Sequence, residues 1–116
     1  MNIGFVSGAR DAIFAIPPAE RVAELVAREK GIPKSLLFNS SRCRAEAALA
    51  RQLAMYLTHV ILRQNFTAIG LAFGRDRTTV SHACALIEDL REDPDFEADV
   101  SRLEALLENH EDRTRG

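Results

Sequence analysis

Apolar residues recur at helical spacing along most of the chain. Val22, Leu25 and Val26 line one face of a segment that opens at Pro17 and Pro18, carries Glu20 in its first turn and stops at Gly31. A proline in the first turn, an acid near the start and a glycine after the last turn are the marks of a helix with both ends specified. PKSLLF, from Pro33 to Phe38, offers a second proline start and a short apolar turn, and the polar, basic NSSRCR after it reads as a loop. Ala45, Leu49, Leu53, Tyr56, Leu57, Val60 and Ile61 repeat at spacings of three and four, which predicts a central helix from Ala45 to Leu62. Asn65 is placed to cap a short helix from Phe66 to Phe73, with Ile69 and Phe73 on one face. Gly74 and Arg75 then make a tight turn, and Asp76 caps a longer helix reaching Leu90. Val80, Cys84, Ile87 and Leu90 or Arg91 fall on one side of that helix, and Thr78, Ser81, His82 and Ala85 on the other. Pro94 breaks the chain, and Phe96, Val100, Leu103, Leu106 and Leu107 mark a last amphipathic helix. No strand pattern or internal repeat competes, so the expected fold class is all-α, a small helical bundle.

Composition narrows what such a bundle can be. The 116 residues suit one compact domain with one core. With 47% hydrophobic and 28% charged residues the chain has globular composition. Its longest apolar runs fall far short of a membrane span. MNIGFVSGARDAIFAIPP has no basic cluster ahead of its apolar residues, and Arg10 and Asp11 interrupt them, so no signal peptide or membrane segment is expected and the location is expected to be cytoplasmic. Residues 1–16 carry Ile3, Phe5, Val6, Ile13, Phe14 and Ile16, more apolar than a free tail needs, and form a candidate partner-binding segment ahead of a domain at 17–110 and a tail at 111–116.

Catalytic and metal chemistry find little support. Cys43 and Cys84 have neither disulfide nor zinc-ligand spacing, and packing is the expected role of Cys84. His59, His82 and His110 are too far apart in sequence to suggest a metal set, and no histidine sits at a recognisable spacing from a nucleophile and a carboxylate. No enzyme activity, metal or cofactor is expected.

Charge is segregated, although the formal net charge is only −2. Between Arg42 and Arg77 six arginines face Glu46 and Asp76, a balance of +4; from Leu86 to Asp112 eleven acids face Arg91 and Arg102, a balance of −9. One end of the chain can therefore hold a positive field that the average conceals.

That field surrounds the stretch FGRDRTTVSHAC, Phe73 to Cys84. A short helix, a tight turn and a second helix with small polar groups on its exposed face are the parts of a helix-turn-helix, whose second helix presents its first residues to base edges in the major groove. Arg77, Thr78, Ser81 and His82 share that face, with Thr79 at its edge; amides at the helix start, with Arg75 ahead of them, favour a phosphate. Plain structural roles exist too: Asp76 is adequately explained as a cap accepting from the amide of Thr79.

GRDRTTVSHAC is similar to the Gly-Gly-Arg-Asp-His-Thr-Thr-Val-x-His-Ala run of the C-terminal DNA-binding domain of the bacterial chromosomal replication initiator, DnaA. ARQLAMYLTH, from Ala50 to His59, resembles that family's Pro-Arg-Gln-x-Ala-Met-Tyr-Leu helix, and FTAIGLAF resembles its Leu-Pro-x-Ile-Gly-x-x-Phe segment. The blocks keep the family's order over about Ala19 to Leu107. The resemblance implies a helical bundle with a helix-turn-helix of the Trp-repressor type. It assigns major-groove contacts to Asp76, Arg77, Thr78, Thr79 and His82 and a minor-groove contact to Arg42 or Arg44 in the RCR loop; Arg75, Arg63 and Ser81 are the candidate DNA-backbone contacts beside them.

Departures from the pattern bear on specificity. The histidine that opens the family's recognition helix is Arg77 here, one glycine of the Gly-Gly turn is missing, and one extra residue separates the RCR loop from Arg51. The loop is poorer in basic residues and Glu46 follows it, so fewer phosphate contacts and weaker salt dependence are expected. No Gly-x-x-x-x-Gly-Lys-Ser/Thr loop is present, GIPKS being too short, so no nucleotide is expected and the chain reads as a free-standing copy of the DNA-binding domain. The resemblance implies double-stranded DNA with an initiator-type box as partner, a nucleoid-associated location, and a role regulating replication initiation or transcription. The alternative is an adaptor or decoy that binds the initiator or its regulators, with DNA binding weak or lost.

Overall fold

The computed structural model describes residues 16–38 and 45–115. Six helices occur among them: α1 (Pro18–Lys30), α2 (Ser35–Phe38), α3 (Ala45–Val60), α4 (Phe66–Phe73), α5 (Arg77–Leu90) and α6 (Pro94–Arg115), with no strand among the described residues. The fold is the expected all-α bundle.

Each helix end has a local cause. Pro18 occupies the first turn of α1 and Gly31 ends it at φ 66°, while the amide of Ile32 reaches back to the Ala27 carbonyl at 3.0 Å. That is a glycine-terminated C-cap, with the chain reversing where a side chain would be strained. Asn65 accepts from the Ala68 amide at 2.8 Å to start α4, and Asp76 accepts from the Thr79 amide at 2.9 Å to start α5. The chain breaks between α5 and α6 at Pro94, as expected, and the proline itself opens α6, because Asp93 accepts from the Phe96 amide at 2.9 Å and a proline at the first helical position lacks only an amide that has no helical partner.

The central helix is shorter than its apolar pattern suggested. It stops at Val60, and Ile61 and Leu62 lie in a turn. The chain then passes through Arg63 at φ 60°, a left-handed conformation that costs an L-residue about 1–2 kcal/mol. Bonds around the turn hold it there: the Gln64 amide donates to the Thr58 carbonyl at 3.3 Å, and His59 Nδ1 lies 2.9 Å from the Gln64 carbonyl. The reversal lets α4 double back, and the His59 ring meets that of Phe66 at 4.6 Å.

Burial on α3 also differs from the expected face. Ala47, Ala50, Leu53, Ala54, Met55, Tyr56 and Leu57 are buried, whereas Ala45 and Leu49 are exposed. Around α3 gather Val22 and Val26 of α1, Leu37 of α2, Ile69 and Phe73 of α4, Val80 and Ile87 of α5, and Val100 and Leu103 of α6, all removed from solvent. Each such side chain contributes about 1.5–3 kcal/mol relative to exposure. Phe73 also stacks on Phe38, ring centroids 4.8 Å apart.

Polar contacts fasten α6 and the far end of α5 to this core. Arg91 bonds Glu97 Oε1 at 2.6 Å, Glu104 Oε2 at 2.8 Å and the Tyr56 hydroxyl at 2.9 Å, and that hydroxyl donates to Glu88. These bonds, first from Glu97 and then from Glu104, raise the Arg91 pKa, and the same guanidinium holds the Glu97 carboxyl down at about 2. Arg102 joins Glu29 of α1 to Asp99 at 2.6 and 2.9 Å, and Lys30 also pairs with Asp99.

Candidate nucleic-acid interface

The turn between α4 and α5 sets the aim of α5. Gly74 takes φ 68°, and the Arg75 amide donates to the Gly70 carbonyl at 2.9 Å. Gly70 lies buried against the other side of the turn, where a β-carbon would come within 2.5 Å of the Arg75 carbonyl oxygen. The two helices therefore approach as closely as they do only because residue 70 has no side chain. On the inner side Val80, Ala83, Cys84 and Ile87 pack into the core. Burial pushes the Cys84 thiol up to about 11, so it stays protonated and serves as an apolar filler.

The outer side of the same turns carries the polar groups. Asp76, Arg77, Thr78, Thr79 and His82 are all exposed over the first two turns of α5, and Ser81 is half-buried beside them. The Asp76 carboxyl is held below its ordinary range first by the Thr79 amide and then by the Thr79 hydroxyl. Asp76 is thus a cap, and Thr79 belongs both to the cap and to the exposed face. Arg77 makes no hydrogen bond or ion pair among the described residues.

The backbone candidates are more scattered. Arg75 is half-buried, and its guanidinium donates to the Phe73 carbonyl at 2.8 Å, closing the C-terminal end of α4. Arg63 is exposed but sits before the start of α4, at the far end of that eight-residue helix from the turn, about 12 Å away along its axis. Arg42 and Arg44 lie outside the described residues.

Sequence reasoning missed the neighbours of this face. A groove of about 390 Å³ lies between α3 and α5, lined by Arg51, Gln52 and Met55 of α3, Arg75 of the turn, and Thr79, His82, Ala83 and Leu86 of α5. Arg51 is only 8% exposed, and it donates from Nε to the Leu37 carbonyl at 2.9 Å and from Nη2 to the Leu36 carbonyl at 3.2 Å. It ties α2 to α3 and lines the same groove as Thr79. A lone arginine among the alanines and leucines of the central helix was the signal available for it.

No group of three or more histidine, cysteine or acidic side chains suited to a metal ion occurs among the described residues. No helix among them is long and apolar enough to cross a membrane. The site offers hydrogen-bond donors and acceptors on a protruding helix start, which suits reading a grooved polar surface.

Comparison with known proteins agrees with this geometry. Residues 19–87, more than half of the chain, match the family described as bacterial DnaA protein helix-turn-helix. The chain is 40% identical over 92 residues to the chromosomal replication initiator protein DnaA of Acinetobacter baumannii (strain ATCC 17978), covering 78% of this chain and 20% of that protein. It is 39% identical to the DnaA of Acinetobacter baylyi over the same shares, and 38% identical to that of Laribacter hongkongensis over 78% of this chain and 19% of the relative. The chain thus spans about one fifth of the length of these relatives. The matched region is the helix-turn-helix, a DNA-binding and non-catalytic module, and its turn, caps and outward polar face are those described above. The chain belongs to the bacterial DnaA helix-turn-helix family.

Proposed function

We propose that this protein binds double-stranded DNA sequence-specifically at initiator-type boxes and thereby regulates the initiation of chromosome replication or transcription. The observation that carries the reading is the exposed, polar start of α5, held on a turn with no spare space and capped by Asp76. In this reading α5 enters the major groove, with Arg77, Thr78, Thr79 and His82 toward base edges, while Arg75, Arg63 and Ser81 approach phosphates. Arg42 or Arg44 supplies the minor-groove contact.

An anisotropy titration with a duplex carrying the initiator box, against a scrambled duplex, at two salt concentrations, tests this. Tighter binding to the box, weakening as salt rises, is expected. Equal binding to both duplexes would remove the specific reading. A second reading, an adaptor or decoy that binds the initiator or another replication component, is favoured by the exposed acids Glu88, Asp89, Glu92, Asp93 and Asp95. It predicts no box preference at any salt and retention of a basic partner by the full chain.

A further inference from the structure

We infer that Arg77 reads a guanine, and that this contact supplies most of the base preference of α5; the inference rests on the DNA-binding reading above. Arg77 is the first residue of the second helix of the helix-turn-helix, among the N-terminal residues that such a helix presents to base edges. It is exposed and makes no bond among the described residues.

The neighbouring charged groups are already engaged. Arg51 serves the carbonyls of Leu36 and Leu37, Arg75 serves the carbonyl of Phe73, and Asp76 is held by Thr79. From Arg77 to Leu90, RTTVSHACALIEDL, no other arginine or lysine occurs. The recognition helix therefore offers one permanent cation, and it sits at the tip.

A guanidinium is a rigid planar fork of donors. Of the four bases, guanine alone presents two acceptors side by side on the major-groove edge, O6 and N7. Adenine pairs its N7 with an amino donor, thymine offers one acceptor beside a methyl group, and cytosine offers a donor. Thr78 and His82, on the same exposed face, carry neutral or single-point hydrogen-bonding groups whose discrimination between bases is weaker.

Selection of bound duplexes from a random library by the full chain tests the inference, followed by titration of the selected duplex and its three single-base variants at the position that responds to Arg77. The wild type is expected to enrich guanine there. Arg77→Ala, an exposed change that leaves the fold intact by circular dichroism, should weaken binding to the guanine duplex by roughly 5- to 150-fold. It should level the four bases at that position and keep the preferences elsewhere, while Arg77→Lys should keep a reduced guanine preference. Equal weakening of all four duplexes, the mark of a phosphate contact, would overturn the inference, as would guanine enrichment that survives Arg77→Ala. No enrichment at low salt would overturn the DNA-binding reading itself, and the inference with it.

Discussion

Gly70→Ala is the substitution that most directly probes how the helix-turn-helix holds its aim. The added methyl would lie 2.5 Å from the Arg75 carbonyl oxygen and 3.3 Å from the Asp76 carbonyl carbon. Both obstacles are backbone, and neither has slack: Gly74 is fixed at φ 68° and the Arg75 amide is bonded back to Gly70. Forcing a methyl into an unyielding contact costs about 1–3 kcal/mol. Alanine in place of glycine within a helix returns about 1 kcal/mol. The net expectation is a loss of up to ~2 kcal/mol, equivalent to ~4–8 °C of melting temperature per kcal/mol in a domain of this size. A domain of ordinary stability, about 5–15 kcal/mol, stays almost wholly folded after that loss at 25 °C. Any fall in box affinity at 25 °C then reports that α5 has been re-aimed, not that protein has unfolded. Chemical denaturation and an anisotropy titration on the same preparation check both parts. A variant with raised stability and unchanged binding would refute the claim that this close approach sets the helix geometry.

Four further outcomes follow from particular contacts. Arg51→Met should destabilise the protein by about 2 kcal/mol or more, because the Leu36 and Leu37 carbonyls lose a charged donor; urea unfolding measures it. Arg63→Gly should raise stability by up to about 1 kcal/mol by relieving the left-handed backbone, yet lower DNA affinity if Arg63 meets a phosphate; calorimetry and anisotropy read the two effects separately. The Glu97 carboxyl is depressed to about 2 by Arg91, so its contribution is present above its unfolded value near 4.5 and fades as pH falls through that window toward 2; Glu97→Gln should flatten acid unfolding followed by circular dichroism there. In a Cys43→Ser background Cys84 should resist thiol reagents at pH 8 until denaturant is added, because its buried thiol stays protonated up to about 11; prompt modification of the native protein would contradict its packing.

Local signals made most of the helix ends legible. Asn65, Asp76, Gly31 and Gly74 act through bonds within a few residues, so a short window of sequence contains the whole cause. Where causes were tertiary, the reading failed. Leu49, expected on the buried face, is exposed while Arg51 is buried, because α3 is packed by α1, α2, α4 and α5, and a helix surrounded this way has no single stripe for periodicity to find. The end of α3 depends on α4 folding back through Arg63, a conformation no propensity favours. Gly70 read as one small residue in an apolar run; its role exists only once the Arg75 carbonyl is opposite it. The start of α6 at Pro94 was local too, since Asp93 ahead of it is an ordinary cap. The outward face of α5 was legible because it needed only the cap and the helical period. The groove between α3 and α5 joins residues about thirty positions apart and was not.

The segregated charge gives the proposed complex a direction. α5 has 14 residues and is about 21 Å long, which is more than two screening lengths at physiological salt. The acids beyond its C-terminal end, Glu92, Asp93 and Asp95, therefore do little to cancel the field at Arg77. They act on whatever approaches broadside, together with the exposed Asp89 of the last turn of α5. Arg91 cannot offset them, because Glu97, Glu104 and Tyr56 already hold it. In the proposed complex a duplex would accordingly be tolerated at the first two turns of α5 and repelled along its far half, so that the helix would enter tip first. Local placement of charge, and not the slightly negative total, decides whether this surface can meet DNA.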